Sequence, residues 1–344
     1  MANQEKILFP YEFKDLNPEE VAELNRIYNT PHLEFSRVGP EGFQVFKTYQ
    51  KDAENVYNMP LRSSDIFVTS YQRSGTTLTQ ELVWLLASNL DYAAAEAVPL
   101  TQRYAFLEQF MYFVEDQLDY YVELTNKPEI RESLEGILKF LATPASGLLA
   151  AAPSPRYVKT HLPMSLLPPK ILDTAKVVYV ARDPRDVAVS SYHHAKLFKL
   201  ANFPGDFKDF WNLFVKSLYT LTPYFGHILE AWEKRDHPNM LFLFYEELSK
   251  DLHATVRRVS EFLGKELTAE DLSKLCEHLK IDNFKKNKSV NYEEMRDLGL
   301  LAEDETFIRK GKTGGWRDYF DEEMTLQAER WMEDNLRDTD LRFP

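Results

Sequence analysis

The sequence predicts an α/β protein: a single domain with a central, mainly parallel sheet flanked by helices. Three observations lead there. Short continuous apolar runs recur along the chain, rich in Val, Ile, Phe and Tyr, as in strands buried on both faces. Stretches with helical periodicity lie between them, which implies strand–helix–strand units. No repeat, low-complexity linker or composition break divides the 344 residues.

Taken in order, the strand candidates are "DIFVTSY" (65–71), "RYVKTH" (156–161), "KVVYVAR" (176–182) and "NMLFLFYEEL" (239–248). The first runs into "TTLTQELVWLLASNL", which places Leu78, Leu82, Val83, Leu85 and Leu86 on one broad helical face. "DPRDVAVSSYHHAKLFKL" opens on Asp183 and Pro184, a helix-start signature. "TVRRVSEFLGKEL" ends its period at Gly264, a C-cap. Two segments interrupt the rhythm. Residues 91–153 contain an aromatic stretch, "QRYAFLEQFMYFVEDQLDYYVEL", open to two readings: an amphipathic helix on the core, or a lid over an apolar pocket. The tail after about residue 280 is too polar for core strands and holds much of the glycine.

The formal net charge of −13 argues against nucleic acid or an anionic membrane surface as a partner. An anion site must therefore be a local basic cluster. Cys276 is the only cysteine, so no intrachain disulfide forms, and the amino-terminal stretch carries no signal-peptide pattern. A cytoplasmic setting is expected. No apolar run approaches the roughly 18 residues of a membrane helix.

Four clusters carry chemistry. The loop "YQRSGTT" joins a strand to a helix, with a tight turn at Gly75. Its N–H groups and the helix dipole would face an anion, Ser74, Thr76 and Thr77 would add hydroxyls, and Arg73 would add charge. The bland alternative is a capped helix start. In "YVARDPRDVAVSS", Arg182 ends a strand and Ser190 lies two helical turns on, so both can grip one phosphate. The competing reading is an Arg182, Asp183 and Asp186 cap. "FIRKGKTGGW" interleaves Arg309, Lys310 and Lys312 with Gly311, Gly314 and Gly315, as a phosphate clamp or as a solvated loop. "YVKTH" ends a strand with His161 beside Lys159, a candidate general base or a structural histidine. No metal-ligand spacing appears among the histidines, so no metal is expected.

The order of these motifs resembles that of the cytosolic sulfotransferases. In that family the first loop reads Tyr-Pro-Lys-Ser-Gly-Thr-Thr-Trp, against Tyr71 to Leu78 here, with Arg73 in place of Lys and Leu78 in place of Trp. Arg182 and Ser190 have the spacing of its second phosphate motif. Arg309-Lys310-Gly311 matches its carboxyl-terminal motif, and Lys159-Thr160-His161 its catalytic Lys-Thr-His. The resemblance runs from about residue 40 to 320. Arg73, the long 91–153 segment and "FPYEF" are closer to the insect branch that includes a retinol dehydratase.

The resemblance implies 3′-phosphoadenosine 5′-phosphosulfate (PAPS) as donor and adenosine 3′,5′-bisphosphate (PAP) as product. It puts the phosphosulfate on residues 73–78 and the 3′-phosphate on Arg182, Ser190, Arg309 and Gly311, beside Lys310. Adenine would pack near Leu78, Tyr245, Phe284 and Ile308. His161 would take the proton of an acceptor hydroxyl, while Arg73 and Lys159 stabilise charge on the leaving oxygen. A lid within 91–153 implies a small hydrophobic acceptor, a phenol, sterol or retinoid-like alcohol, held by Tyr104, Phe106, Phe110 and Met111. Dehydration through a transient sulfate ester, a silent nucleotide-binding protein and a P-loop kinase remain alternatives. The oligomeric state stays open, because Gly315 and an acidic run replace the family's dimer motif.

Overall fold

The computed structural model describes residues 6–27, 34–113, 118–125, 127–201 and 203–344. Residues 114–117 and 126 of the expected lid lie outside this set. The strands in chain order are β1 (Lys14–Asp15), β2 (Phe35–Val38), β3 (Phe43–Phe46), β4 (Ile66–Thr69), β5 (Ala105–Phe106), β6 (Tyr157–Thr160), β7 (Lys176–Ala181) and β8 (Met240–Phe244). The first three form a small antiparallel sheet that the sequence reading did not anticipate. The other five form one sheet in the order β5-β6-β4-β7-β8, with every pairing parallel.

β7 explains why its sequence runs apolar without alternation. Val177, Tyr179 and Ala181 enter the core on one face, while Val178 and Val180 enter the core on the other. Both faces are covered, so neither tolerates polar side chains. The helix Thr76–Ala87 covers the second face through Leu82, Val83, Leu85 and Leu86, with Leu78 half-buried at its start. Asp183 caps the helix Pro184–Leu197, and Gly264, at φ 66°, ends the helix Leu252–Leu263. Among the described residues no single helix is long and apolar enough to cross a membrane.

Two expectations change. The aromatic stretch is not one helix: Ala105 and Phe106 pair with β6 as an edge strand, and a 3-10 turn follows at Gln109–Tyr112. The run 239–248 splits at Tyr245, where a helix to Lys250 begins. The carboxyl ends of β4, β6, β7 and β8 therefore deliver Ser70, His161, Arg182 and Tyr245 to one edge of the sheet. Ligands bind at that edge in open α/β folds.

Candidate active site

A cavity of about 1220 Å³ opens at this edge. One part is walled by the loop after β4, Arg182, Tyr245 and the carboxyl-terminal segment. Another is apolar and aromatic, with Phe35, Phe46, Phe106, Tyr112 and Phe113.

The loop is shaped by its backbone. Gly75 has φ 104°, and a Cβ there would lie 2.4 Å from the Tyr245 ring. Only glycine fits both the left-handed conformation and the ring beneath it. Arg73 also adopts positive φ, 67°, a strained choice for a non-glycine residue. Its Nε donates to Ser190 Oγ at 3.2 Å and its Nη2 to the Phe307 carbonyl at 2.8 Å. The guanidinium lies 4.6 Å from the centre of the Phe307 ring. Burial, and then the neighbouring charge of Arg182, push the Arg73 pKa down to about 10, so it stays charged at neutral pH.

Arg182 stacks on Tyr245 at 4.4 Å and donates to the carbonyls of Arg73 (3.3 Å) and Lys312 (3.0 Å). Its Nε is buried and has no hydrogen-bond partner among the described residues. Asp186 accepts from the N–H of Gly314 (2.7 Å) and of Trp316 (2.9 Å), which ties the glycine-rich segment to the helix after β7. The Arg182–Asp186 separation is 3.9 Å, so the capping alternative holds in part while Arg182 still lines the cavity. Two arginines, an orphaned guanidinium N–H and a helix start converge where a polyanionic nucleotide would sit.

His161 is anchored at three polar atoms. Its Nδ1 lies 2.9 Å from the Ser70 carbonyl, which can only accept, so Nδ1 carries the proton. Its own carbonyl accepts from His227 Nε2 at 2.8 Å, and its N–H donates to Glu108 Oε1 at 2.5 Å. Nε2 is the nitrogen left for a substrate. Burial, then the charge of Lys159, hold the His161 pKa well below the usual imidazole value, so the ring is neutral. Lys159 Nζ lies 4.0 Å from the centre of the Phe106 ring and 3.4 Å from the Tyr292 hydroxyl.

Most of the expected residues meet in this cavity. Arg73, Gly75, Thr76, Thr77, Leu78, Lys159, His161, Arg182, Ser190, Tyr245, Phe284, Ile308, Arg309, Lys310 and Gly311 all line it, as do Tyr104 and Phe106. Three do not. Ser74 is fully buried within the loop, and among the described residues its hydroxyl has no hydrogen-bond partner. Phe110 and Met111 belong to the core: Phe110 stacks on Tyr49 at 6.3 Å, and Thr48 donates to the Met111 carbonyl at 2.6 Å. Within the 3-10 segment, Phe110 and Met111 therefore face the core, while Gln109 and Tyr112 line the cavity.

Other wall residues escaped the sequence reading. Ile281 packs on Gly311, where a Cβ would meet it at 2.3 Å. Tyr292 carried no motif, and Phe307 was read only as the first letter of a basic motif. Glu108, behind the wall, was one carboxylate among several in an aromatic run.

The sheet edge, the anion-binding loop and a neutral histidine beside an apolar pocket define a nucleotide-dependent group-transfer enzyme that acts on a hydrophobic acceptor. The sulfotransferase domain model matches residues 63–340, and the chain belongs to that family. It is 32% identical over 329 residues to the luciferin sulfotransferase of Photinus pyralis, covering 93% of this chain and 85% of that protein. A solved retinol dehydratase in complex with retinol and PAP is similar at 54% identity and a TM-score of 0.95, covering 98% of this chain and all of that one (100%). A retinol dehydratase with androsterone and inactive cofactor PAP is similar at 53% identity, also with a TM-score of 0.95, covering 98% and 99% of the two chains.

Proposed function

We propose that this enzyme transfers a sulfonate from PAPS to the hydroxyl of a small hydrophobic acceptor, a phenol, sterol or retinoid-like alcohol, with His161 as general base. The observation that carries the reading is the Nδ1 contact of His161 with the Ser70 carbonyl, which fixes the tautomer and leaves Nε2 free to accept a proton. PAPS supplies an activated sulfonate. The acceptor proton passes to His161 Nε2 while the acceptor oxygen forms the new S–O bond and the S–O bond to the phosphate breaks. Arg73 and Arg182 bind the phosphates, and Lys159 holds positive charge beside the acceptor end. In this reading residues 91–153 supply the acceptor lid and residues 280–320 the nucleotide clamp.

Dehydration is a second reading. The two retinol dehydratase structures resemble this chain over 98% of its length. The aromatic wall would exclude water from an allylic sulfate ester, which could then lose sulfate. A screen of phenols, sterols and retinoids with labelled PAPS, analysed by mass, separates sulfate esters from dehydrated products. His161→Ala should lower transfer by about 10²–10⁴-fold while PAP still raises the melting temperature. Undiminished turnover in that variant would remove His161 from the mechanism, and stronger stabilisation by ATP–Mg than by PAP would remove PAPS as the donor.

A further inference from the structure

Glu108 lies two residues beyond the end of β5 and is fully buried. Both of its oxygens are spent on the end of β6. Oε2 accepts from the Thr160 hydroxyl at 2.7 Å, and Oε1 accepts from the His161 N–H at 2.5 Å. One residue earlier the backbone does the same work: the Leu107 N–H donates to the Lys159 carbonyl at 2.9 Å. The β5–β6 pairing thus passes from backbone to side chain where His161 leaves the sheet. Thr160 relays the contact, since its Oγ1 accepts from the Leu162 N–H at 3.1 Å.

A strand end does not need a carboxylate. Burying one is costly, and an amide would satisfy one N–H and one hydroxyl at a lower desolvation penalty. The burial here pushes the Glu108 pKa up to about 7. Such a cost marks a position where geometry has been favoured over stability. Glu108 does not line the cavity, so it acts through its neighbours.

We infer that Glu108 is a positioning residue for His161, a step that rests on His161 being the general base. Three elements hold that one residue: Glu108 takes its N–H, His227 takes its carbonyl and Ser70 takes Nδ1. The first two fix the backbone and the third fixes the ring, so Nε2 keeps one direction. Release of the N–H frees the peptide to rotate, and a misplacement of about 1 Å at a base costs on the order of 10²-fold in rate. The edge strand thereby couples the lid segment to the base, because Phe106, two residues before Glu108, also packs edge-on against the His161 ring at 5.5 Å.

The test is a double-mutant cycle in the full-length enzyme, read by single-turnover kinetics with PAPS and the best acceptor from the screen. Glu108→Ala should lower the rate about tenfold or more, with PAP affinity within about twofold of the parent. Adding Glu108→Ala to His161→Ala should cost little more than His161→Ala alone, because a positioning residue has nothing left to position. Glu108→Gln, which keeps an acceptor for the His161 N–H, should recover most of the rate and stands in if the alanine variant does not fold. Additive losses in the cycle, an unchanged rate in Glu108→Ala, or a loss of PAP affinity equal to the loss of rate would each overturn the inference. An active His161→Ala enzyme would instead overturn the base assignment on which it rests.

Discussion

His161 Nδ1 sits 2.9 Å from the carbonyl oxygen of Ser70, and Ser70 is the first residue after β4. The loop proposed to cradle the anion and the histidine proposed as base are thus fixed to one backbone position. The same residue's hydroxyl lies 2.6 Å from Thr76 Oγ1 at the start of the following helix. In the proposed reading, nucleotide site and acceptor site share a joint, which suits a reaction that needs two substrates aligned.

With His161 as the proposed base, its neutral state sets the expected pH profile. Its pKa is held below the usual value of 6.5 by burial and by Lys159. The acid limb of kcat should therefore fall below pH 6.5, where an ordinary imidazole would already be half protonated. Lys159→Met removes the nearby positive charge, which favours the imidazolium. The limb should then move to higher pH, alongside a lower kcat. A limb that stays in place would mean that Lys159 does not act on His161.

Gly75 carries a double constraint, positive φ and contact with Tyr245. Gly75→Ala should destabilise the protein by roughly 1–3 kcal/mol and abolish thermal stabilisation by PAP. Gly75→Ala/Tyr245→Leu should recover part of the melting temperature, since it relieves the clash but not the backbone strain. No recovery would place the whole cost in the backbone.

These residues also mark how far the sequence could be read. The loop, His161 and Arg182 were legible because each ends a continuous apolar run, and a polar residue at that point faces the ligand edge. β5 was not legible: two residues, Ala105 and Phe106, show no period, and they are strand only because β6 lies beside them. Glu108 meets its partners 52 and 53 positions away. Asp186 was visible as a helix-start acid, but its bonds to Gly314 and Trp316 span 128 and 130 positions. Phe110 and Met111 fall in an aromatic run that fits a pocket as well as a core, and packing against distant residues such as Tyr49 decided between them. Local pattern fixes which residues are apolar, while long-range contact decides which apolar residues face a ligand.

Arg73 does more than carry charge. Its two donors diverge, one to Ser190 and one to the Phe307 carbonyl, and its flat face covers the Phe307 ring. A lysine keeps the charge but cannot make both bonds and the stack together. Arg73→Lys should loosen the segment around Phe307 and raise the PAP dissociation rate by about fivefold or more. Stopped-flow displacement of PAP measures this. An unchanged off-rate would mean that the Phe307 contact does not help to retain the nucleotide.

Glu246 gives a stability test independent of catalysis. Its Oε1 accepts from the Asp183 N–H at 2.8 Å, while its Oε2 is buried without a hydrogen-bond partner among the described residues. Burial pushes its pKa from 4.5 up to about 7. A raised carboxyl pKa means that the folded state binds the proton more tightly than the unfolded chain. The stability contributed is full below about pH 4.5 and is lost as pH rises through about 7. Glu246→Gln keeps an acceptor for the Asp183 N–H and removes the titration. Relative to the parent, the variant should gain stability between pH 5 and pH 8, by roughly 2 °C or more in melting temperature. Glu108 titrates over the same range in both proteins, so it cancels from the difference. A difference independent of pH would mean that Glu246 is ionised in the fold throughout, with its second oxygen satisfied by solvent.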